Sequence, residues 1–451
     1  MYVPRWSCVC TEPEWSPIPI VKQPAADGFS NLALTEAPSA PVEANPGARP
    51  AAPESLPNFT SQVAPNSDLP GTILSIQILR FVAAFGVVIF HAHIALVRNL
   101  FNHIPGRVDR AFGIGASGVH IFFVISGFVM VYTTLRSRLT PGAFLSRRFI
   151  RVFPIYWLLA AAYLIAHLFV GIPYHLSLAE VLGAALLLPH ASSLVIGPGW
   201  TLSFEMYFYV CFALALYAGL ARGLLLLSIL YVTSVAAGLI FAPHSLLARF
   251  ASDSLLLEFI AGAWLAFAFE RGLTIGPRIG SWLLATGLAL FATGLWIDYA
   301  RVPSVVCWGI PSLLLVAGGL AFEPKLASRL GRSTAKLGDS SYLLYLSHIL
   351  LIDLVAATSL AVLNNSDSAA AYLSIPLAVT CTIAAAVGYE WIERPLLNVT
   401  KRWLLPKKSE LGHEERGHSF VRTAKKSDHP LEFPDRDLMR VSADRATDHQ
   451  A

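Results

Sequence analysis

The sequence predicts an all-α polytopic membrane protein with about ten transmembrane helices and both termini in the cytoplasm. Long apolar segments fill most of the chain between residues 72 and 393, and each is close to the roughly 20 residues that a membrane-spanning helix needs. Only 14% of the residues are charged, against about 25% in a typical soluble domain. The basic residues gather in alternate loops, as they do in multi-pass membrane proteins.

Ten apolar segments meet the length requirement of a transmembrane helix. In chain order they are 73–97, 117–135, 153–171, 200–220, 223–242, 254–270, 278–297, 302–321, 340–362 and 371–393. An eleventh apolar run, 177–189, is only about 13 residues long and is predicted to be a short re-entrant or interfacial segment, because runs of that length rarely cross a bilayer.

The basic loops indicate the orientation of the helices. Five arginines lie between the second and third segments: Arg136, Arg138, Arg147, Arg148 and Arg151. The positive-inside rule places this region in the cytoplasm. If 177–189 does not cross, most later basic loops also face the cytoplasm. We therefore expect a multi-pass membrane protein with these basic loops on the cytoplasmic side. Its net charge of +4 reflects topology and contact with membrane lipid, and no nucleic-acid partner is predicted.

Three regions are expected along the chain. Residues 1–70 are rich in Pro and Ala without a sustained apolar period, so they are predicted to be a disordered extension without a signal peptide. Residues 71–398 form the transmembrane domain. Residues 399–451 are charged and polar and are predicted to be a disordered cytoplasmic tail.

Arg80 and His91 lie eleven residues apart in the first apolar segment, LSIQILRFVAAFGVVIFHAHIAL. Eleven residues at about 100° each end within about 20° of three full turns, so both side chains share one helical face, roughly 16 Å apart. Ionisable residues inside membrane helices typically mark functional sites. His91 is a candidate general base because imidazole exchanges protons near neutral pH. The alternative is a histidine that only packs against a neighbouring helix.

Other polar residues in the apolar segments are candidate partners. Glu205, in WTLSFEMYFYV, is predicted to enter the membrane at the depth of His91 and either to pair with it or to stay neutral. His348 is predicted in the inner half of the ninth segment, and His120 near the outer end of the second. Ser126, in FFVISGF, fits the small-residue packing of membrane helices best.

Arg148 and Arg151 lie three residues apart in SRRFIRVFP, on one helical face at the predicted cytoplasmic surface. Two guanidinium groups so placed can hold a phosphate or pyrophosphate, although basic residues there also serve topology and lipid headgroups. Glu390 and Glu393 end the tenth segment at a similar depth. The sequence contains no zinc-binding helix, phosphate loop or serine-hydrolase elbow, so no metal is predicted.

Two other function classes fit part of this pattern. Intramembrane His, Glu and Arg residues also form the pathway of a proton-coupled membrane transporter, but the sequence shows no inverted repeat of broken helices. A non-catalytic membrane scaffold gives no reason for Arg80 and His91 to share a face.

The chain resembles the membrane-bound acyltransferase-3 family, and within it the exopolysaccharide O-acetyltransferases. Six strings carry the resemblance in family order, from about residue 74 to 398. They are SIQILRFVAAFGVVIFHA, GVHIFFVISGFVM, FLSRRFIRVFPIYW, GPGWTLSFEMYFYV, SYLLYLSHILL and YEWIERPL. Each string alone is weak evidence, whereas six in order form a strong match over the membrane domain.

The resemblance implies transfer of an acyl group, commonly acetyl, from a cytoplasmic acyl-CoA (acetyl-CoA) to a carbohydrate hydroxyl, in association with polysaccharide biosynthesis machinery. It matches Arg80 and His91 to the family's arginine–histidine pair and Arg148 and Arg151 to its Arg-x-x-Arg pair.

The same resemblance places Glu205 in the family's WxLxxE segment and His348 in its YLxH-like segment. One position departs from the pattern. Where the family usually has Asp in GVDxFFVISG, this chain has His120. Without an Asp at position 120, no carboxylate is expected there to pair with a neighbouring histidine. Glu205 is therefore the expected partner of His91.

Overall fold

The computed structural model describes residues 72–100, 106–170, 176–189, 195–296, 304–359 and 369–404. Every regular element in these ranges is helical, which confirms the all-α prediction. The two predicted disordered regions lie almost entirely outside the described residues. The chain divides into two units, Met1–Thr400 and Lys401–Ala451, and the description below concerns the first.

The described residues form fifteen α-helices, labelled α1 to α15 in chain order. Their bounds are Leu74–Leu100, Gly106–Gly113, Gly118–Ser137, Pro141–Val170, Leu178–Ala185, Trp200–Ala215, Leu220–Phe241, Leu246–Ala251, Leu255–Glu270, Pro277–Thr293, Ile310–Leu320, Arg329–Asp339, Ser341–Ser359, Ala369–Gly388 and Arg394–Leu404. Two π-helical turns, Val305–Gly309 and Tyr389–Glu393, join directly onto α11 and α15.

Seven helical stretches of the described residues are long and apolar enough to cross a membrane. They are Leu74–Leu96, Arg110–Ser137, Pro141–Ala166, Gly197–Ala218, Leu220–Phe241, Leu246–Glu270 and Leu373–Leu404. The other three of the ten predicted segments form shorter helices: α10, with 17 residues, and the apolar stretches Val305–Leu320 and Ser341–Val355.

The short apolar run near 177–189 forms α5, a helix of eight residues that begins with a capping box at Ser177. Eight residues rise about 12 Å, which is too little for a hydrocarbon core of about 30 Å. Side chains of α4 anchor the end of this helix. The Tyr156 hydroxyl and the Trp157 indole N–H donate to the carbonyls of Ala184 and Ala185, each at 2.8 Å.

Helices α3 and α9 pack against each other with almost no space between their backbones. A Cβ atom on Gly127 would lie 1.9 Å from the carbonyl oxygen of Phe259, and one on Gly262 would lie 1.9 Å from that of Val124. Only glycine fits at both positions. This contact is the small-residue packing expected of membrane helices.

Helix α1 is continuous from Leu74 to Leu100 and lies against α3, α12, α13 and α14. The Glu323 carboxylate caps its start, because the backbone N–H groups of Leu74 and Ser75 donate to it at 2.6 and 2.8 Å. A negative charge at this end also complements the helix dipole. The unbroken helix therefore holds Arg80 and His91 at the separation that the sequence predicts.

Candidate active site

A cavity of about 120 Å³ lies between α1, α3, α4, α6 and α13. Aromatic and aliphatic side chains of α3 form much of its wall. Its polar lining includes Arg80, Ser126, Arg148, Arg151, Glu205 and Tyr209. The structure thus brings together five residues that the sequence singled out and adds Tyr209. We call this space the arginine cavity.

The charge of Arg151 is already neutralised within the protein. Its Nη1 lies 2.5 Å from Oε1 of Glu393, whose side chain is fully buried, and its guanidinium lies over the Tyr342 ring at 5.3 Å. Glu390 instead pairs with Arg394 at 2.6 Å, with about half of each side chain exposed. The wider π turn at 389–393 directs the two carboxylates to different sides. The structure therefore brings Glu393, and not Glu390, to the arginine cluster.

Arg148 and Arg80 differ from Arg151, because neither forms an ion pair with any residue that the structure describes. Arg148 donates from Nη2 to the Thr133 hydroxyl at 2.8 Å, and its Nε is buried without a hydrogen-bond partner among the described residues. Arg80 donates from Nη1 to Oε1 of Gln77 at 3.2 Å. Two cations with unused donors that line one cavity can together hold an anion.

A polar chain continues from Arg80 to the short helix α12. The Gln77 amide nitrogen donates to Oδ1 of Asp339 at 2.9 Å. Burial raises the pKa of the Asp339 carboxyl, while the neighbouring Arg80 and Arg151 guanidinium groups act in the opposite direction. Asp339 is thus a further carboxyl near the cavity arginines, besides Glu205 and Glu393.

Glu205 lies in the arginine cavity and not at the depth of His91. It accepts hydrogen bonds from the Ser126 hydroxyl, at 2.9 Å, and from the Tyr209 hydroxyl. The predicted depth was wrong because α6 starts inside the bundle, after a 3-10 turn at 197–199. Thr201, in the first turn of α6, lies 3.0 Å from the Tyr345 hydroxyl of α13. Glu205 lies about one turn after Thr201 in α6, at the level of Arg80.

The Ser126 hydroxyl and Gly127 have separate tasks. Gly127 makes the close helix contact with α9 described above, whereas the Ser126 side chain faces the arginine cavity and donates to Glu205. The packing interpretation of this Ser-Gly pair therefore applies to the glycine, and the serine belongs to the polar lining.

His91 contacts His348, which the sequence predicted at a different depth. Nε2 of His348 lies 3.2 Å from Nδ1 of His91, and the ring centroids are 4.9 Å apart. The side chain of His348 is fully buried. The sequence placed the two residues in opposite halves of the membrane, because it could not show how far α13 lies along α1.

The hydrogen bonds assign the protons of this pair when both rings are neutral. Nδ1 of His348 lies 3.2 Å from the Leu344 carbonyl, which can only accept, so this nitrogen donates. Its Nε2 then accepts from Nδ1 of His91, which also faces the Val87 carbonyl at 2.9 Å. The lone pair of His91 therefore lies on Nε2. This is the state a general base or nucleophile needs.

Two aromatic side chains lie between the arginine cavity and the histidine pair. Phe122 and Tyr345 both line the cavity and meet edge to face at 5.7 Å. The Tyr345 ring is 5.9 Å from that of His348. These two aromatic rings therefore interrupt the track from Arg80 to His91.

His120 lies on a different side of α3 from the cavity lining. Its Nδ1 is 2.7 Å from Oε1 of Glu258 in α9, whose side chain is fully buried. A carboxylate is thus present beside His120, although it comes from another helix. The lone acid in the apolar run LLLEFIAG was a signal that sequence reasoning missed, since intramembrane acids are seldom without a partner.

Other residues that complete the site carried weaker signals. Tyr209 lies four residues after Glu205, a spacing at which helical side chains meet. Gln77 and Thr133 gave no signal, because single neutral polar residues are common in membrane helices. The described residues contain no group of three or more His, Cys, Asp or Glu side chains that could hold a metal ion.

Comparisons with known proteins agree with this architecture. A family model described as "Acyltransferase domain" matches residues 73–390. The chain is 32% identical over 304 residues to the "Exopolysaccharide production protein ExoZ" of Rhizobium meliloti (strain 1021), covering 65% of this chain and 93% of that protein. No solved structure matches. The chain therefore belongs to the acyltransferase-3 family and is a multi-pass membrane acyltransferase that transfers groups other than amino-acyl groups.

Proposed function

We propose that this protein moves an acyl group, in the first instance acetyl, from a cytoplasmic acyl-CoA to a hydroxyl of a cell-surface or lipid-linked carbohydrate. In this proposal it works in the bacterial inner membrane beside polysaccharide biosynthesis machinery. The main support is the arginine cavity, in which Arg80 and Arg148 form no ion pair with any described residue. The hydrogen-bonded pair of His91 and His348 lies further along α1. The printed name of the relative, an exopolysaccharide production protein, supports a carbohydrate acceptor.

The acyl-CoA donor is assigned to the arginine cavity because the phosphate groups of coenzyme A are anionic. Arg80 and Arg148 hold a phosphate, and Arg151 contributes less because Glu393 already neutralises it. The cavity of about 120 Å³ is smaller than the roughly 300–1,000 Å³ of pockets for whole drug-sized ligands. It admits a linear arm or a single phosphate, so the nucleotide part of the donor remains outside it.

The thioester lies at the far end of that arm and reaches toward His91, about 16 Å from Arg80 along α1. The Phe122–Tyr345 layer must part for the arm to pass. Nε2 of His91 can then take the proton of the acceptor hydroxyl, or it can attack the thioester carbonyl and carry the acyl group. In both routes the carbon–sulfur bond breaks, and the sulfur leaves as coenzyme A thiol after protonation. His348 orients His91 in either route.

Membranes that contain the protein test this function directly. With radiolabelled acetyl-CoA and a non-acetylated bacterial exopolysaccharide, we expect label in the polysaccharide and an equal amount of free coenzyme A. A proton-coupled transporter would leave the thioester intact. Thioester cleavage that does not depend on any carbohydrate, together with unlabelled polysaccharide, would contradict the proposed acceptor class.

A further inference from the structure

Tyr345 of α13 lies at the boundary between the arginine cavity and the histidine pair. Its side chain lines the cavity, and its ring centroid is 5.9 Å from that of His348, which contacts His91. Neither histidine is among the described residues that line the cavity. A donor arm that reaches His91 from the arginine end therefore has to pass the Tyr345 side chain.

The hydroxyl of Tyr345 is tied to the start of α6. It lies 3.0 Å from Oγ1 of Thr201 and 3.4 Å from the carbonyl oxygen of Pro198. Oγ1 of Thr201 itself donates to this carbonyl at 3.0 Å. Because the only hydroxyl proton of Thr201 is used there, the Tyr345 O–H is the donor toward both groups. We call these three groups, the Tyr345 and Thr201 hydroxyls and the Pro198 carbonyl, the tyrosine anchor.

The two rings that separate the cavity from the histidine pair are held in different ways. Phe122 meets the Tyr345 ring edge to face at 5.7 Å and packs against an apolar cluster of α1, α13 and α14. Apolar contacts adapt to small displacements, whereas a hydrogen bond is directional and is either made or broken. The tyrosine anchor therefore gives the Tyr345 side chain two states, anchored and released.

Tyr163 of α4 offers a comparison for the anchor. Its hydroxyl also contacts α13, where it donates to the Leu346 carbonyl at 3.3 Å and accepts from the Leu350 N–H at 2.9 Å. Tyr163 is not among the residues that line the cavity, so this contact joins two helices outside the route of the donor. The anchor of Tyr345 instead fixes a ring that stands in that route.

We propose that Tyr345 controls entry of the donor arm to the histidine pair, and that the tyrosine anchor keeps this entrance closed until the donor binds. The proposal rests on the proposed acyl transfer. In the anchored state the ring of Tyr345 bars the passage, and in the released state it gives way to the arm. Only the released state admits the whole donor, so the apparent affinity for acetyl-CoA is the intrinsic affinity reduced by the released fraction. Tyr345 acts on donor entry and takes no part in making or breaking bonds.

Variants of the anchor test this role through the KM for acetyl-CoA, measured from initial rates of acetyl transfer. Tyr345→Phe keeps the ring and removes the anchoring hydroxyl, so the KM should fall about 3- to 10-fold while kcat stays within twofold of wild type. Thr201→Val has nearly the same shape as the wild type and leaves the Pro198 carbonyl as an acceptor, so its effect should be smaller. Thr201→Ser keeps the hydroxyl and should keep the wild-type KM.

Two controls separate entry of the arm from a general change in the protein. Adenosine 3′,5′-bisphosphate carries phosphates but no acyl arm, so nothing in it has to pass Tyr345. Its inhibition constant in competition with acetyl-CoA should stay within twofold of wild type in Y345F. Tyr163→Phe removes a tyrosine hydroxyl that contacts α13 outside the cavity, and it should leave the KM for acetyl-CoA unchanged.

The proposal is overturned if Y345F and T201V keep or raise the wild-type KM, or if Y163F lowers it as much as Y345F does. A parallel fall in the inhibition constant of the bisphosphate would also overturn it, because the arginine cavity itself would then have changed. Normal acetyl transfer with an unchanged KM in Y345F contradicts this inference alone. A wild-type protein that transfers no acetyl group contradicts the proposed function, and this inference with it.

Discussion

The two ends of the track along α1 accommodate polar groups inside the membrane domain in different ways. Around Arg80 the polar groups are charged: three arginines lie near the carboxyl groups of Glu205, Glu393 and Asp339. Among the described residues, only Arg151 of these arginines forms an ion pair. Around His91 the structure has hydrogen bonds between two imidazole rings and two backbone carbonyls.

This difference suits two separate tasks. Unpaired charges in a cavity attract an anion, whereas a neutral imidazole with a defined tautomer is ready for proton or acyl transfer. Changes at the arginine end should therefore affect mainly the KM for the donor, and changes at the histidine end mainly kcat.

The largest effect is expected from His91→Ala. This change removes Nε2, so transfer of acetyl to the acceptor should fall by about 10²–10⁴-fold, with the normal amount of protein in the membrane. Labelled-acetate incorporation and immunoblotting measure the two quantities. His93→Asn, about 200° away on the same helix, is the matched control and should stay active. Wild-type activity in H91A would show that the histidine pair takes no part in acyl transfer.

The next effect is expected from Arg148→Gln. Loss of a charge-assisted hydrogen bond of about 1.5–3 kcal/mol should raise the KM for acetyl-CoA about 10- to 100-fold, with a smaller change in kcat. Initial rates over a range of acetyl-CoA concentrations give both constants.

Arg151→Gln is the contrasting variant for that measurement. It leaves Glu393 buried and uncompensated, so it should destabilise the fold by about 3–5 kcal/mol. Detergent-solubilised protein should then lose its folded form at a lower temperature. Equal KM increases in R148Q and R151Q, at unchanged thermal stability, would show that both arginines hold the donor alike.

A smaller effect is expected at His348, which touches His91 and not the substrate. His348→Ala should lower kcat about 10- to 100-fold, as the loss of an orienting partner does, at an unchanged KM for acetyl-CoA. His348→Gln can accept from Nδ1 of His91 through its amide oxygen and should recover most of the rate. Failure of the glutamine to do better than alanine would argue against orientation by a hydrogen bond.

The smallest effect is expected from Glu205→Gln. The amide oxygen can still accept from the Ser126 and Tyr209 hydroxyls, while a negative charge near Arg80 and Arg148 disappears. An anionic donor should then bind more tightly, so the KM for acetyl-CoA should fall a few-fold, with kcat reduced less than in H91A. A loss of kcat as large as that of H91A would instead make Glu205 part of the transfer chemistry.

Local sequence features predicted much of the site. Helix periodicity placed Arg80 and His91 on one face, and the spacing of Arg148 and Arg151 placed both at the same end of the bundle. The sequence did not show which of two neighbouring acids, Glu390 or Glu393, lies at the arginine cluster, because a π turn separates them. It also did not identify Glu258, because its partner His120 lies 138 residues earlier in the chain.

The sequence alone determined that this protein is an all-helical membrane protein with ionisable residues on one face of its first helix, because hydrophobicity and periodicity depend only on neighbouring residues. Which of those residues meet depends on how the helices pack in three dimensions. The contact of His91 with His348, and the move of Glu205 to the arginine cavity, depend on where α6 and α13 begin within the bundle. That offset is set by packing between helices distant in sequence, which no local pattern records.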